Sequence, residues 1–408
     1  MNKSTVGKIL ILCQFVMITT VWATDNKQNI CQASGIAAGN SFTCTIVDTD
    51  TTKGTVWCWG SNQYGQLGQD ISVVKSEKPL QISGLSDVVD IQAGHLHACA
   101  LSAQGEVTCW GDNNFGQLGD GNIIAYGIPK PESALLISDL IHVDGLMAAG
   151  NQSCAYSFDG NNAANGNLLC AGTSSNGLYN WVKPATSNPV AISNEQKFAK
   201  DGIATATGGT NHTCIVNQSG HVMCWGYNNF GQLGVPNKNI ASNNGVTLPL
   251  NSIVKVSSYH QTTCALREDG KDICWGRNDL GQVGNNSFKP VEASPKLVEE
   301  KKLKFKDISV GQDTSCGLIS NGDVFCWGSS QYGQLGFGKL SYNSGFVPRP
   351  SRPVALEDTA ISIASGQTHS CAITKNGDVF CWGSGSNGEL AKDISASSVP
   401  VKINIPCD

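Results

Sequence analysis

Charge is scarce in this sequence: only 14% of the 408 residues are Asp, Glu, Lys or Arg, with 32 acids against 27 bases. That thin, mildly acidic balance offers no surface for a polyanion, so nucleic acid is not an expected partner. The one basic stretch, 296–306, contains Glu299 and Glu300 and reads as a solvated connection between structural units. Past residue 23 no apolar run is long enough to cross a bilayer, and stable membrane insertion is not expected. The usual catalytic words are also missing. There is no Gly-x-Ser-x-Gly elbow, no His-Glu-x-x-His, no EF-hand loop, and no Gly-Lys-Ser/Thr after the glycine-rich words. No two cysteines lie within about four residues of each other, which removes the common zinc-ligand spacing. His95 and His97 could share a metal, but no acidic third ligand is placed nearby in the sequence. The expectation is a protein that is not an enzyme and holds neither metal nor cofactor.

What is abundant is glycine, at 46 residues, and cysteine, at 17. Residues 1–23 read as a secretory signal: Lys3 and Lys8, an apolar run from Ile9 to Val21, then Val21-Trp22-Ala23 with small residues where a signal peptidase inspects them. Cys13 leaves with this leader, and an even number of cysteines remains. An even count behind an export signal predicts an oxidising compartment, periplasmic or extracellular, and a disulfide framework.

Fourteen of those cysteines fall into seven close pairs: Cys44 with Cys58, Cys99 with Cys109, Cys154 with Cys170, Cys214 with Cys224, Cys264 with Cys274, Cys316 with Cys326, and Cys371 with Cys381. The first members recur every 50 to 60 residues, so residues 24–408 read as one domain built from a unit copied seven times. Each unit repeats the same words, as in Gly94-His-Leu-His-Ala-Cys99, then Cys109-Trp-Gly111, then Asn113-Asn-Phe-Gly-Gln-Leu-Gly119. Between the paired cysteines stand turns such as Asn321-Gly322 and Asn376-Gly377, where glycine accepts the positive φ of a tight hairpin. Cysteines flanking such a turn at equal distances face each other across two antiparallel strands, so each disulfide is expected inside one hairpin. Cys31 and Cys407 stand alone at the two ends; if they pair, the bond joins the first unit to the last.

Both faces of these strands are apolar. In Asp323-Val-Phe-Cys-Trp327, Val324 and Cys326 point one way, Phe325 and Trp327 the other. A small sheet buried on both faces lies between neighbours, and radial stacking of such sheets gives an all-β propeller with about four strands per blade. The missing strands come from the linking segments, for example Pro79–Ile82 and Val88–Ile91. In Gly-Gln-Leu-Gly, the leucine is expected to fill an inter-blade gap, the glutamine to satisfy backbone groups, and the glycines to permit the turn. His97, His212 and His369 each fall two residues before a cysteine and are expected to bond backbone between strands. Asp48 and Asp50 are expected to orient a hairpin turn.

The words Cys-Trp-Gly-x-Asn-x-x-Gly-Gln-Leu-Gly preceded by Gly-x-x-His-x-Cys resemble the repeats of the regulator-of-chromosome-condensation family, over about residues 39–390. The resemblance implies a seven-bladed propeller closed between its N- and C-terminal segments. The cysteine-paired form is similar to exported bacterial members of that family.

The third unit departs from the pattern: its cysteines are 16 apart, Ala171 replaces tryptophan, and its last word becomes Asn176-Gly-Leu-Tyr-Asn-Trp181. Either the motif has drifted, or the irregular unit carries a binding surface. Longer insertions follow the motif at 120–132, 235–248 and 337–350. If they leave equivalent points of each blade they share one rim, where Tyr126, Tyr179, Trp181, Tyr342 and Phe346 are candidate anchors for a partner protein. The functional expectation is an exported, monomeric scaffold or binder that acts on another protein. Two alternatives are guanine-nucleotide exchange on a small GTPase, which the resemblance implies, and recognition of carbohydrate or cell wall through the rim aromatics.

Overall fold

The structure is a computed structural model and describes residues 31–120, 126–127, 143–158, 168–172, 186–191, 201–236, 242–300, 302–338 and 345–407. Seven antiparallel sheets, each of four strands, account for all strands described. In the first blade the strands are Cys31–Ala38, Phe42–Thr49, Thr55–Ser61 and Lys75–Gln81, in that order from the axis outward. Each inner strand packs on the inner strands of its two neighbours, and the last of them, Ala360–Ser365, packs on the first. The fold is thus a closed seven-bladed propeller.

Every blade comes from one continuous stretch of chain, and the ends exchange no strand. Closure rests instead on contacts between complete blades. Cys31 is bonded to Cys407, the Ala33 N–H donates to the Gly377 carbonyl at 3.0 Å, and the His369 Nε2 meets the Thr43 hydroxyl at 2.7 Å. The other seven disulfides each lie inside one hairpin, joining the second and third strands where the two cysteines are directly paired, as Cys99 is with Cys109.

The seams between blades explain the repeated words. Trp59, Trp110, Trp225, Trp275, Trp327 and Trp382 are fully buried. Each such ring removes a large apolar area from water. On one face of the sixth blade, Val324 and Cys326 join Trp382 of the next blade; on the other, Phe325 and Trp327 join Phe305 and Val283. The leucine of each Gly-Gln-Leu-Gly word fills the same gap, as Leu67 does against Trp110 and Leu335 against Trp382.

The glutamine of that word works twice. Its side-chain oxygen accepts the N–H two residues back, as Gln66 does from Tyr64 at 2.8 Å and Gln117 from Phe115 at 2.9 Å. Its backbone carbonyl accepts the indole N–H of the next blade: Trp110 to Gln66, Trp275 to Gln232, Trp327 to Gln282 and Trp382 to Gln334, all between 2.8 and 3.0 Å. Trp225 lacks this bond, because the third blade before it has no such word; its indole N–H has no acceptor among the described residues.

The histidines add a side-chain partner to the backbone bonding expected of them, which for His97 falls on Gln152 of the next blade. His97 reaches Ser153 at 2.9 Å and His212 reaches Thr263 at 2.7 Å, each a hydroxyl just before the first cysteine of the following blade. Space for the ring comes from the glycine three residues earlier, since a Cβ at Gly94 would stand 2.2 Å from His97. Burial drives the pKa of both His97 and His212 down to about 3, so they are neutral clasps. Asp48 does orient its turn, accepting the Gly54 N–H at 2.9 Å.

Candidate functional site

Antiparallel order puts two kinds of turn on one face of the disc: the inner-to-second-strand turns near the axis and the third-to-outer-strand loops around the rim. The two are stitched together, as where the Asp112 N–H donates to the Leu96 carbonyl and the Ser329 N–H to the Asp313 carbonyl. The paired-cysteine hairpins open on the opposite face.

The rim loops are rigid at their base. Asn62, Asn113, Asn228 and Asn278 each accept the N–H five residues on, within the same Asn-x-x-Gly-Gln word. Together with the glutamine bond this fixes both sides of one residue, the one just before the first glycine, and turns its side chain outward. That residue is Phe115 in the second blade, Phe230 in the fourth and Tyr332 in the sixth, each exposed. In the first and fifth blades it is Tyr64 and Leu280, half-buried, and in the seventh the exposed polar Asn387. Val73, Val74, Phe288 and Ile394 add exposed apolar surface in the loops that follow. A rigid face bearing separated aromatic side chains suits contact with a protein surface.

The long insertions do leave equivalent points, between the third and outer strands of the second, fourth and sixth blades. These are the blades that carry the exposed aromatics. Of the anchors expected from sequence, Tyr179, Trp181 and Tyr342 lie outside the described residues. Tyr126 and Phe346 belong to outer strands, paired with Asp112 and Ser329 respectively, and so sit at the base of their loops. Phe346 is half-buried there. Phe115, Phe230 and Tyr332 were legible as the aromatic preceding Gly-Gln-Leu-Gly, a position masked by its place inside a structural motif.

At the centre of this face the axis is closed. Tyr259, from the fifth blade, donates its hydroxyl to the Asn40 side-chain oxygen of the first, and the His95 ring packs 5.5 Å from the Tyr259 ring. Tyr259 stands where five of the other six blades have the motif glycine, and Thr262 stands where the second, fourth and seventh blades have the histidine that this glycine accommodates. Burial, with some repulsion from His260, lowers the His95 pKa to about 4, so the centre is polar but uncharged near neutrality. Among the described residues no group of three His, Cys, Asp or Glu could hold a metal ion.

Comparison with known proteins agrees with this architecture. Two family profiles, both described as the Regulator of chromosome condensation (RCC1) repeat, match residues 53–101, 269–318 and 321–373, and residues 88–117, 203–232, 253–282, 305–334 and 360–389. The chain is 26% identical over 367 residues to the ultraviolet-B receptor UVR8 of Arabidopsis thaliana, covering 87% of this chain and 78% of the receptor. It is 24% identical over 360 residues to the human regulator of chromosome condensation, covering 83% and 82% respectively. Among solved structures, Prp20p of Saccharomyces cerevisiae, studied for its binding to Gsp1p and histones, superposes with a TM-score of 0.73 at 20% identity, covering 92% of this chain and 88% of that one.

Proposed function

Because the chain belongs to the Regulator of chromosome condensation repeat family, we propose that it is a protein-interaction scaffold whose contact surface is the rim-loop face. The observation that carries this is the placement of Phe115, Phe230 and Tyr332 at one repeat position in alternate blades, exposed yet each with its backbone N–H held by the motif glutamine; Asn113 and Asn228 brace the first two loops further, while the sixth blade has Ser330 at that position, bonded to the Gly345 carbonyl. An exposed aromatic on a preorganised loop contributes binding area at little ordering cost. Tyr126 and Phe346 stand at the base of the insertions on the same rim, and Tyr179, Trp181 and Tyr342 remain candidates on the sequence alone. Relatives support a protein partner: Prp20p is described as binding Gsp1p and histones.

Eight disulfides fit an oxidising compartment, and with the leader at residues 1–23 they support export as the setting. That setting favours an envelope or extracellular protein over a cytosolic GTPase as the partner.

The test is affinity capture from the producing organism's medium and envelope, comparing the natural chain with the triple variant Phe115→Ala, Phe230→Ala, Tyr332→Ala. A partner retained saturably by the natural chain and lost by an equally stable variant supports the reading. Equal retention by both refutes the surface.

A further inference from the structure

The axis holds a cavity of about 350 Å³, lined by the inner strands and large enough for a small organic molecule. Tyr259 and Asn40 close its end on the rim-loop face. Its other end lies among the starts of the inner strands, where six of seven blades carry a β-bulge. Five of the six extra residues are exposed, Ala204 being half-buried; they are Ser34, Lys306 and three large aliphatics, Val89, 60% exposed, Val254, 51%, and Ile361, 48%. Bulges re-aim side chains at the rims of such structures. Here they form a partly apolar lip at that end of the disc, of which Val89 and Ser34 line the cavity itself.

Below the lip, the repeat places one residue per blade in a tier, two residues beyond the cysteine register. In the sixth blade that residue is Asp307, which stands outside the cavity lining; in the second and fifth it is Asp90 and Lys255. Among the residues lining the cavity these are the one carboxylate and the one lysine. They stand three blades apart in a ring of seven, on opposed walls, and make no ion pair with each other. Asp90 is held by the Gln92 amide at 2.9 Å, and Lys255 leans on Asp307 at the edge of the cavity. Lys255 uses one donor on Asp307 and keeps the others for the cavity.

We propose that this well binds a small zwitterion of amino-acid or dipeptide size, its ammonium on Asp90 and its carboxylate on Lys255, with its side chains against the lip. A carboxylate with no ion-pair partner among the described residues, on one wall, and the remaining Lys255 donors, beside Asp307, on the other, with hydroxyls such as those of Thr205 and Ser362 in the same tier, suit a ligand charged at both ends. Burial raises the Asp90 carboxyl above its ordinary range, with Lys255 acting only weakly to lower it, as fits an acid whose cation is still to arrive. A simple anion would meet Asp90 and Asp307, and a simple cation would leave the remaining Lys255 donors unused; the zwitterion engages both walls. The site faces away from the rim loops, so it stands or falls independently of the protein-binding surface.

The experiment is calorimetric titration of the full disulfide-bonded chain with alanyl-alanine, N-acetyl-alanyl-alanine and alanyl-alanine amide. The free dipeptide is expected to bind saturably, and each blocked form about tenfold more weakly, because the acetylated form leaves Asp90 without a cation and the amide form gives up the Lys255 contact. Asp90→Asn, which keeps the Gln92 contact and the volume, is expected to lose binding of the free dipeptide while melting as the natural chain does. No saturable binding up to about 10 mM, a range that covers even weak millimolar sites, would show a water-filled channel and overturn the proposal. So would equal binding of blocked and free peptides, a comparison that needs no variant to fold.

Discussion

The indole N–H of Trp59, in the first blade, donates to the backbone carbonyl of Glu389, in the last, at 2.9 Å across 330 residues of sequence. It is the same clasp that joins the blades internally, now made between the two ends of the chain. Glutamate stands there in place of the motif glutamine, and the bond survives because it uses the backbone oxygen. The Glu389 side chain still accepts the Asn387 N–H, at 2.8 Å.

With closure shared between that clasp and the Cys31–Cys407 bond, opening the disulfide should weaken the ring without dissolving it. The bond closes nearly the whole chain, 376 residues of separation. In the chain-entropy picture it is worth about 5 kcal/mol at most. The double variant Cys31→Ser, Cys407→Ser is expected to fold, and to melt at lower temperature by calorimetry under oxidising conditions.

The clasps themselves can be ranked. Trp327→Phe removes an indole N–H bonded to Gln282 at 2.9 Å and leaves a buried carbonyl unpaired, at a cost of about 1 to 2 kcal/mol. Trp225→Phe removes an N–H that has no acceptor among the described residues, and should be neutral or slightly stabilising. Urea denaturation of the two variants side by side measures the difference.

How far the sequence carries the fold is visible in these same residues. The paired cysteines and the Asn-Gly turns between them announce a hairpin per unit, since both signals act over about ten residues. The seam chemistry is hidden, because its partners are a whole repeat apart: nothing local says that a glutamine carbonyl will meet the next blade's indole, or that His97 will meet the Ser153 hydroxyl of the next blade. Tyr259 at a glycine position, and the aromatics before Gly-Gln-Leu-Gly, acquire meaning only when the ring places them on one face.

Asp272 is a second residue that the pattern conceals. It occupies a position where the second, fourth, sixth and seventh blades have valine, is 2% exposed, and neither carboxyl oxygen has a hydrogen-bond partner. Desolvation, reinforced by Asp307 and opposed by Lys255, holds its pKa well above the ordinary carboxylate range. A folded-state pKa raised above the unfolded value means stability that is full below about pH 4 and lost as pH rises toward the folded value. Asp272→Val is therefore expected to stabilise the protein by about 1 to 3 kcal/mol at pH 7. The gain should shrink toward pH 4, as followed by urea midpoints.

The buried histidines act in the opposite sense. His97 and His212 have folded pKa values near 3 through desolvation, so they bind fewer protons folded than unfolded below about pH 6.5. Their contribution is complete above the unfolded pKa and is lost as pH falls toward the folded one. Each should remove about 2 kcal/mol of stability between pH 7 and pH 5. His97→Asn is expected to be less stable at pH 7 but to show a shallower loss over that interval in the same denaturation series.

The rim-loop face is tested most directly by site-specific photo-crosslinking in the producing organism. A photoreactive phenylalanine analogue replaces Tyr332 or Phe115 on the rim-loop face, or exposed Gln104 in a hairpin on the opposite face. The prediction is one discrete protein adduct, the same from Tyr332 and Phe115, and none from Gln104. Adducts confined to the Gln104 variant, equal at all three positions, or absent from all three would contradict a partner held on the rim-loop face.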